Sequence, residues 1–356
     1  MNKYEKGVSA FKSIESDPAI LDEIAALKDE LKEDLVILGH HYQRNDVIRF
    51  ADVTGDSLIL SQKAVEMKKK HIVFCGVYFM AECADILSDD DQKVYIPDMR
   101  AGCAMADMAD IKDVEMIWEH LISGTKEKII PVTYINSSAD IKYFVGKNDG
   151  IICTSSNAPR IFDWAMERGS KILFLPDQFL GINTAISKGI PESAIFTLDR
   201  LPDEKAIEGS QVFLWKGYCS VHKRFTLDDV TKRRNEYPGI NIVVHGECTA
   251  DVVKASDAFG STSTIIKMIT ESEKGTAWAV GTEQHLVQRL TERFPDKIIV
   301  PLSESGFQCV TMSMITPEKL LNTLKEIKEG STEHEVRVAP EIKHYAKTAL
   351  IRMLAL

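Results

Sequence analysis

Three of the seven cysteines stand just after glycines in turn-like segments, where a thiol can reach a metal ion. Cys103 directly follows a glycine, Cys219 comes two residues after one, and Cys309 comes three residues after one. An accessible thiolate binds metal, whereas Cys75 and Cys153 lie in apolar runs typical of inert core cysteines. Three thiolates suit an iron-sulfur cluster with one open iron. Their spacings of 116 and 90 positions would place such a cluster where three domains meet, but without close cysteine pairs the spacing alone leaves the site undecided.

A serine- and threonine-rich turn at residues 260–264 leads directly into the apolar helical pattern of residues 265–269. The free backbone N–H groups of a helix start, together with hydroxyls, can hold phosphate or another anion. The same residue types also cap helices that bind nothing, so both interpretations stay open. The chain has no Gly-x-x-x-x-Gly-Lys-Ser/Thr loop and no Gly-x-Gly-x-x-Gly turn after a strand, which removes the main support for a nucleotide cofactor.

Several side chains that can transfer protons stand at the ends of predicted strands. His40 ends the first predicted strand, and Tyr134 ends a later one. Glu247, close to His245, is a candidate general base. The sequence therefore offers both proton donors and proton acceptors at positions where α/β folds carry their chemistry.

The elements that would position these residues alternate between short β-rich runs and amphipathic stretches, a pattern typical of parallel α/β layers. Helices are predicted at residues 47–67 and 317–328, residues 1–33 have helical composition, and a polar then apolar tail runs from residue 331. About ten strands are predicted, too many for one small sheet, at residues 35–40, 71–78, 93–96, 128–135, 151–155, 171–175, 211–215, 241–245, 277–281 and 297–301.

Many of these predicted strands end in polar or small residues just before a turn. Any one of them could merely cap a helix, but several such ends together indicate a site. Asp52 and Asp56, with a helix following, could likewise be metal ligands or turn and capping residues. The residues at strand ends are His40, Asn136, Ser155, Asp177, His245, Gly246, Glu247, Gly281, Thr282 and Glu283.

The composition narrows the class of protein. A chain of 356 residues favours two or three domains, and 44% hydrophobic with 27% charged residues is the balance of a folded globular protein. The formal charge of -10 and the shortness of the basic runs at 68–70 and 232–234 argue against nucleic acid as a partner. No signal-like start or long apolar stretch occurs, so we expect a cytoplasmic protein without membrane contact and without a disulfide framework.

Ten short segments, in order and spacing over residues 34–325, resemble the quinolinate synthase family. They are LGHHYQ at 38–43, GDSL at 55–58, FMAE at 79–82, AGC at 101–103, YIN at 134–136, TSS at 154–156, WKGYCSVH at 215–222, HGEC at 245–248, GST at 260–262 and GFQCVTM at 306–312. Two positions depart from the common family pattern, because Gly246 and Val310 stand where proline is usual. These changes affect the stiffness of two loops and leave the ligand chemistry intact.

The resemblance implies three similar α/β/α three-layer domains with parallel sheets in a pseudo-threefold arrangement. It also implies one [4Fe-4S] cluster per chain, held by Cys103, Cys219 and Cys309, with Cys248 left out of the metal site. The open iron would polarise substrate oxygens and assist loss of water. The expected divisions are a helical segment at 1–33, α/β domains at 34–105, 106–220 and 221–315, and a C-terminal helix and tail at 316–356.

The implied reaction condenses iminoaspartate with dihydroxyacetone phosphate to quinolinate, releasing phosphate and two waters, in de novo NAD biosynthesis. An aspartate oxidase or dehydrogenase would supply the first substrate. Glu247, Tyr134 and His40 are the implied acid and base residues. The implied substrate pocket consists of His40, Ser57, Tyr134, Asn136, Ser155, His245, Gly246, Glu247 and Thr262.

Three other functions stay open at this stage. Another hydro-lyase with a three-cysteine [4Fe-4S] cluster would share the open iron and differ in its substrate pocket. An iron-sulfur or redox sensor should show a DNA-binding helix pair or a basic face, and neither is visible in the sequence. A structural zinc protein would be colourless and carry about one zinc ion.

Overall fold

The structure, a computed structural model, describes residues 16–356. Strands and helices alternate along this part of the chain. The strands are β1 (Leu35–His40), β2 (Val53–Gly55), β3 (His71–Cys75), β4 (Lys93–Tyr95), β5 (Ile129–Tyr134), β6 (Ile151–Cys153), β7 (Lys171–Leu175), β8 (Ile195–Leu198), β9 (Val212–Trp215), β10 (Asn241–His245), β11 (Ala258–Gly260), β12 (Ala277–Gly281), β13 (Ile298–Pro301) and β14 (Glu335–Val336).

The helices connect successive strands and cover the sheets. They are α1 (Pro18–Leu31), α2 (Asn45–Ile48), α3 (Ser57–Glu66), α4 (Tyr78–Leu87), α5 (Ala104–Asp107), α6 (Ile111–Ser123), α7 (Ala139–Lys147), α8 (Ala158–Met166), α9 (Gln178–Ser187), α10 (Glu204–Gly209), α11 (Leu227–Glu236), α12 (Ala250–Ala255), α13 (Thr262–Glu271), α14 (Gln284–Arg293), α15 (Pro317–Glu329) and α16 (Pro340–Leu354). None of them, within residues 16–356, has the length and apolar character needed to cross a membrane.

The strands form three sheets, and the first three strands of each sheet have the same order. The first sheet runs β14-β4-β3-β1-β2, the second runs β6-β5-β7-β9-β8, and the third runs β11-β10-β12-β13. In each sheet the earliest strand lies between the next two, and every pair is parallel except β14 with β4. Parallel strands require crossover connections, which the helices provide. The predicted fold of three similar α/β units with parallel sheets is confirmed.

The central strands consist of continuous apolar runs because both of their faces are covered. Every residue of β1 is buried, and so is every residue of β5 and β7. A strand buried on both faces does not show the alternation of apolar and polar residues that marks a half-exposed strand. It is recognised in the sequence by its length and its β-branched residues. The predictions at 35–40, 171–175, 241–245 and 277–281 therefore match the observed strands to the residue.

The helix predicted at residues 47–67 is wrong. The segment contains the short helix α2, then strand β2 paired to β1 through Leu38 and Val53, and then α3. The Asp52 carboxylate accepts the Ile37 N–H at 2.8 Å and fastens β2 to the sheet. Strands β2, β8, β11 and β14 were all missed, and all four are short strands at sheet edges. Such strands contain too few apolar residues to interrupt a helical pattern.

Smaller differences occur at element ends. The strand predicted at 71–78 ends at Cys75, and Tyr78 begins α4. The helix predicted at 317–328 is confirmed as α15. Thr316 is its N-cap residue, and Gly330, with a positive φ of 77°, is the C-cap that follows Glu329. The helical prediction for residues 1–33 is confirmed from Pro18 onward, and residues 1–15 lie outside the described part.

The C-terminal segment ties the first two sheets together. Strand β14 joins the edge of the first sheet, and α16 then packs against α7 and strand β6 of the second. Gly146 in α7 permits this packing, since a Cβ at that position would overlap the main-chain carbonyl of Tyr345 in α16. The tail therefore holds two sheets in a fixed relation.

Replacing Gly146 by alanine tests this contact. Helix propensity alone would stabilise the folded state by about 0.5–1 kcal/mol, but the overlap is expected to cost about 1–3 kcal/mol, so we expect a lower free energy of unfolding. Gly209→Ala is the control, because within residues 16–356 no atom outside its own helix backbone and chain neighbours lies within 4 Å of the added Cβ. Urea denaturation of both variants decides the matter. Equal or higher stability of Gly146→Ala would mean that α16 crosses α7 less closely.

Candidate active site

The carboxyl ends of the three sheets line one cavity, of about 650 Å³ when the adjoining open space is included. Of the twelve residues that the family resemblance implies for the pocket and the cluster, Gly246 does not line it, and its N–H donates to the Gly260 carbonyl while its own carbonyl accepts from Asn183. Four of the strand-end residues do not line it either, namely Asp177, Gly281, Thr282 and Glu283. The eleven predicted residues that do line it are His40, Ser57, Cys103, Tyr134, Asn136, Ser155, Cys219, His245, Glu247, Thr262 and Cys309.

The earliest strand of each sheet ends in a residue that lines the cavity. Strand β1 ends at His40, β5 ends at Tyr134 and β10 ends at His245. The residue two positions later lines the cavity in each case, and these second residues are Tyr42, Asn136 and Glu247. The two histidines have the same local geometry, because Nδ1 of each accepts the backbone N–H of the residue two positions later. If both imidazoles are neutral, each carries its proton on Nε2.

The second strand of each sheet is followed by a hydroxyl residue that lines the cavity. These residues are Ser57 after β2, Ser155 after β6 and Thr262 after β11. Ser57 and Thr262 are also the first residues of helices α3 and α13. Hydroxyl groups and helix starts from different sheets therefore meet at the same cavity, which is an arrangement suited to an anionic group.

In each sheet, the strand that pairs with the outer side of the third strand leads to a cysteine that lines the cavity. Strand β4 leads to Cys103, β9 leads to Cys219 and β13 leads to Cys309. Burial raises the pKa of Cys103 to about 12 and also raises those of the other two thiols. Among residues 16–356, no lysine or arginine lines the cavity to balance thiolate charge. The three thiols thus fit a metal group, whose own positive charge stabilises thiolates.

A hydrogen-bonded chain crosses the cavity wall. The Tyr134 hydroxyl donates to Oε1 of Glu247 at 2.6 Å, and Oε2 of Glu247 lies 2.7 Å from Nδ1 of His222. His222 Nε2 lies 3.1 Å from Oγ1 of Thr282, which lies 2.8 Å from the hydroxyl of Tyr42. The Tyr42 hydroxyl also lies 2.9 Å from Thr262 Oγ1, so groups from all three sheets are connected.

Known proteins share this sequence along nearly its whole length. The quinolinate synthetase A protein family matches residues 22–355. The chain belongs to this family. It is 47% identical over 348 residues to a quinolinate synthase of Acidobacterium capsulatum, covering 95% of this chain and 93% of the relative. It is also 47% identical over 352 residues to that of Streptomyces coelicolor, with coverages of 96% and 89%, and 48% identical over 332 residues to that of Halalkalibacterium halodurans, with coverages of 92% and 90%.

Glu247 is the charged centre of the site in this family member. Burial by itself raises the pKa of Glu247, but the neighbouring imidazoles of His245 and His222 and the hydrogen bonds from His222 and Tyr134 lower it below its usual range. Burial and the charge of Glu247 raise the pKa of Tyr134 well above 10. At neutral pH the pair therefore consists of a carboxylate and a neutral phenol, one able to accept a proton and one able to donate.

The buried histidines are held neutral. Burial, reinforced by the neighbouring His41, lowers the pKa of His40 to about 3. Burial and the adjacent ring of His222 lower the pKa of His245 to about 3 as well, and the two rings stack with centroids 4.3 Å apart. A neutral imidazole can both donate and accept a hydrogen bond, which a protonated one cannot.

Sequence reasoning missed two residues of the site. His222 lies three positions after Cys219 in a segment already singled out, and Tyr42 lies two positions after His40, equivalent to Asn136 and Glu247 in the other sheets. Comparing the three strand ends with one another would have indicated Tyr42. His222 also belongs to a trio with Cys219 and Glu247 whose candidate ligand atoms lie within 4.8 Å of one another.

The two aspartates with open roles are bound within the protein. Asp52 accepts the Ile37 N–H and pairs with Lys28 at 2.6 Å. Asp56 accepts the N–H groups of Leu58 and Ile59 as the cap of α3. Capping therefore accounts for these contacts of Asp56, whereas the contacts of Asp52 fasten β2 to the first sheet. Val310 stands where the family commonly has proline. It is 77% exposed, so it does not pack against the cavity.

The lowered pKa of His40 predicts how stability depends on pH. A histidine in the unfolded chain has a pKa of about 6.5, so below that pH the unfolded chain binds a proton that folded His40, with a pKa of about 3, does not. Each pH unit below 6.5 is therefore expected to remove about 1.4 kcal/mol of stability. Urea denaturation at pH 7.5 and 5.5 should show a smaller loss for His40→Gln than for the unchanged chain. Equal losses would contradict a neutral, buried His40.

Proposed function

We propose that this chain is a quinolinate synthase that condenses iminoaspartate with dihydroxyacetone phosphate, releasing phosphate and two waters, in de novo NAD biosynthesis. The observation that carries the proposal is the meeting of three kinds of group at one cavity. The cavity is lined by three cysteines and three hydroxyl residues, with one of each kind following a strand of each sheet. It is also lined by the hydrogen-bonded pair of Glu247 and Tyr134. The relatives are named quinolinate synthases, and this donor set suits the reaction that the family resemblance implies.

Cys103, Cys219 and Cys309 would hold one [4Fe-4S] cluster. The support is a set of three half-buried thiols at one cavity, with the other four cysteines buried. When bound, such a cluster supplies an open iron, a Lewis acid for carboxylate and hydroxyl oxygens. The trio of Cys219, His222 and Glu247 could instead hold a single zinc ion, so the metal must be identified directly.

The substrates would be held by polar groups that face the cavity. The amide oxygen of Asn136 is buried and, within residues 16–356, accepts no hydrogen bond, which suits a substrate donor. Ser57, Ser155 and Thr262 would bind an anionic group, with the start of α13 adding its backbone N–H groups. His40 and His245 would orient the remaining polar atoms as neutral imidazoles.

Proton transfer would use Glu247, Tyr134 and His40. The ionised Glu247 carboxylate would accept a proton as the carbon–carbon bond forms. The Tyr134 hydroxyl, 2.6 Å from Glu247, would donate to a departing hydroxyl group. His40 would act through Nε2, because Nδ1 already accepts the Tyr42 N–H, and its Nε2–H would donate a proton to a substrate oxygen.

The proposed domains of the chain are residues 34–105, 106–220 and 221–315. Each of them contains the parallel strands of one sheet. Because iminoaspartate is an unstable imine, a reaction that forms it by oxidising aspartate must precede this one. An aspartate oxidase or dehydrogenase is thus the expected functional partner.

Anaerobically purified protein is expected to form quinolinate from the two substrates and to contain about four irons per chain. Cys309→Ala should lose both the iron and the turnover, whereas Cys75→Ala, which changes a fully buried core thiol, should keep both. Iron analysis and chromatography of the product on the same samples give the answer. Iron without quinolinate would favour another hydro-lyase, and about one zinc without iron would overturn the cluster.

Glu247→Gln separates the acid–base role from the metal site. Glutamine keeps the shape and one hydrogen-bond acceptor but cannot take up a proton, so we expect normal iron content and at least a hundredfold loss of kcat. Glu304→Gln, which removes a half-exposed carboxylate paired with Lys232, serves as the control. Near-normal turnover of Glu247→Gln would remove Glu247 from the chemistry.

A further inference from the structure

One carboxylate contacts all three units of the fold. Asp56 follows β2 in the first sheet and is 6% exposed. Its Oδ2 accepts a hydrogen bond from Ser156 Oγ at 2.8 Å and another from Ser263 Oγ at 2.6 Å. Ser156 follows β6 of the second sheet, and Ser263 lies in the first turn of α13 after β11 of the third. Bonds to a charged acceptor are the stronger kind of hydrogen bond.

These two bonds are separate from helix capping. Oδ1 of Asp56 alone accepts the N–H groups of Leu58 and Ile59, both at 3.1 Å, and this completes the cap of α3. A serine or asparagine would cap the helix equally well. Capping therefore accounts for one oxygen of Asp56 and leaves the contacts of the other unexplained.

Each of the three bonded residues is the direct neighbour of a hydroxyl that lines the cavity. Asp56 precedes Ser57, Ser156 follows Ser155, and Ser263 follows Thr262. Ser156 and Ser263 themselves do not line the cavity, although Asp56 does. A displacement of one sheet would therefore move its hydroxyl away from the other two, and placement errors of about 1 Å can cost a hundredfold in rate.

We propose that Asp56 is a positioning residue, whose Oδ2 joins Ser156 and Ser263 so that Ser57, Ser155 and Thr262, one from each sheet, bind a single substrate oxyanion together. This inference rests on the proposed function for the identity of the substrate. The oxyanion is the phosphate of dihydroxyacetone phosphate or a carboxylate of iminoaspartate. Hydrogen bonds from Ser263, Ile59 and Ser156 outweigh burial and lower the pKa of Asp56, so it acts as an ionised acceptor.

The test uses Asp56→Ser, which keeps a capping oxygen but cannot reach both serines, together with Ser156→Ala and Ser263→Ala, which leave the cap intact. Binding of dihydroxyacetone phosphate to the anaerobic holoprotein is measured by calorimetry without the second substrate, so the result does not depend on turnover. KM for each substrate and kcat are then measured separately. Asp110→Ser, at the exposed cap of α6, is the matched control.

We expect Asp56→Ser to raise KM for one substrate about tenfold or more with a smaller change in kcat, and Asp110→Ser to change neither. A higher KM for dihydroxyacetone phosphate, with weaker binding in calorimetry, would identify the bound oxyanion as the phosphate. A higher KM for iminoaspartate alone would identify it as a carboxylate. Ser156→Ala should weaken binding by itself but add nothing in the Asp56→Ser background, because both changes remove the same bond.

Additive effects of Ser156→Ala and Asp56→Ser, or unchanged KM values in Asp56→Ser, would overturn the proposal. A lower unfolding midpoint with unchanged KM would also overturn it, since that is the result of a purely structural role. If the unchanged protein forms no quinolinate but binds dihydroxyacetone phosphate, and this binding falls in Asp56→Ser and Ser156→Ala, then the proposed function fails and the positioning role stands.

Discussion

The polar groups at the ends of the three sheets are buried, and they must find hydrogen-bond partners in each other. A buried donor or acceptor without a partner costs about 1–3 kcal/mol, and an unpaired charge costs more. Glu247 of the third sheet is therefore paired with Tyr134 of the second, and Tyr42 of the first is paired with Thr262 of the third. The need to pair these buried polar groups allows the sheets to pack around a polar cavity. The same pairing fixes the positions of the groups that line the cavity.

The repeated strand order explains why the site has sets of three. Equivalent strand ends carry equivalent kinds of group: ring or phenol side chains end the earliest strands, hydroxyls follow the second strands, and thiols follow the strands that pair with the outer side of the third. The carboxyl ends of parallel strands are the usual place for such groups, because connections there are free to vary. Symmetry at the level of the fold thus gives a cavity with three hydroxyls and three thiols, whereas the acid–base pair, Glu247 with Tyr134, breaks the symmetry.

The electrostatics of the cavity separate charged from neutral groups. Burial keeps His40 and His245 neutral. The neighbouring imidazoles together with hydrogen bonds keep Glu247 ionised, and hydrogen bonds keep Asp56 ionised. These differences arise from position and not from residue type, since each side chain would titrate ordinarily in water. The site can therefore offer proton donors, acceptors and fixed negative charge at one pH.

The sequence by itself determined the fold class, the central strands, the three cysteines and the family, because apolar runs, residue chemistry and short ordered motifs are local properties. It did not determine edge strands such as β2, whose few residues match a helical pattern until they pair with a neighbour. Nor did it determine the roles of His222, Tyr42 and Asp56. Tyr42 meets Thr282 across 240 positions and Asp56 meets Ser263 across 207, so only the packing of the sheets brings these partners together.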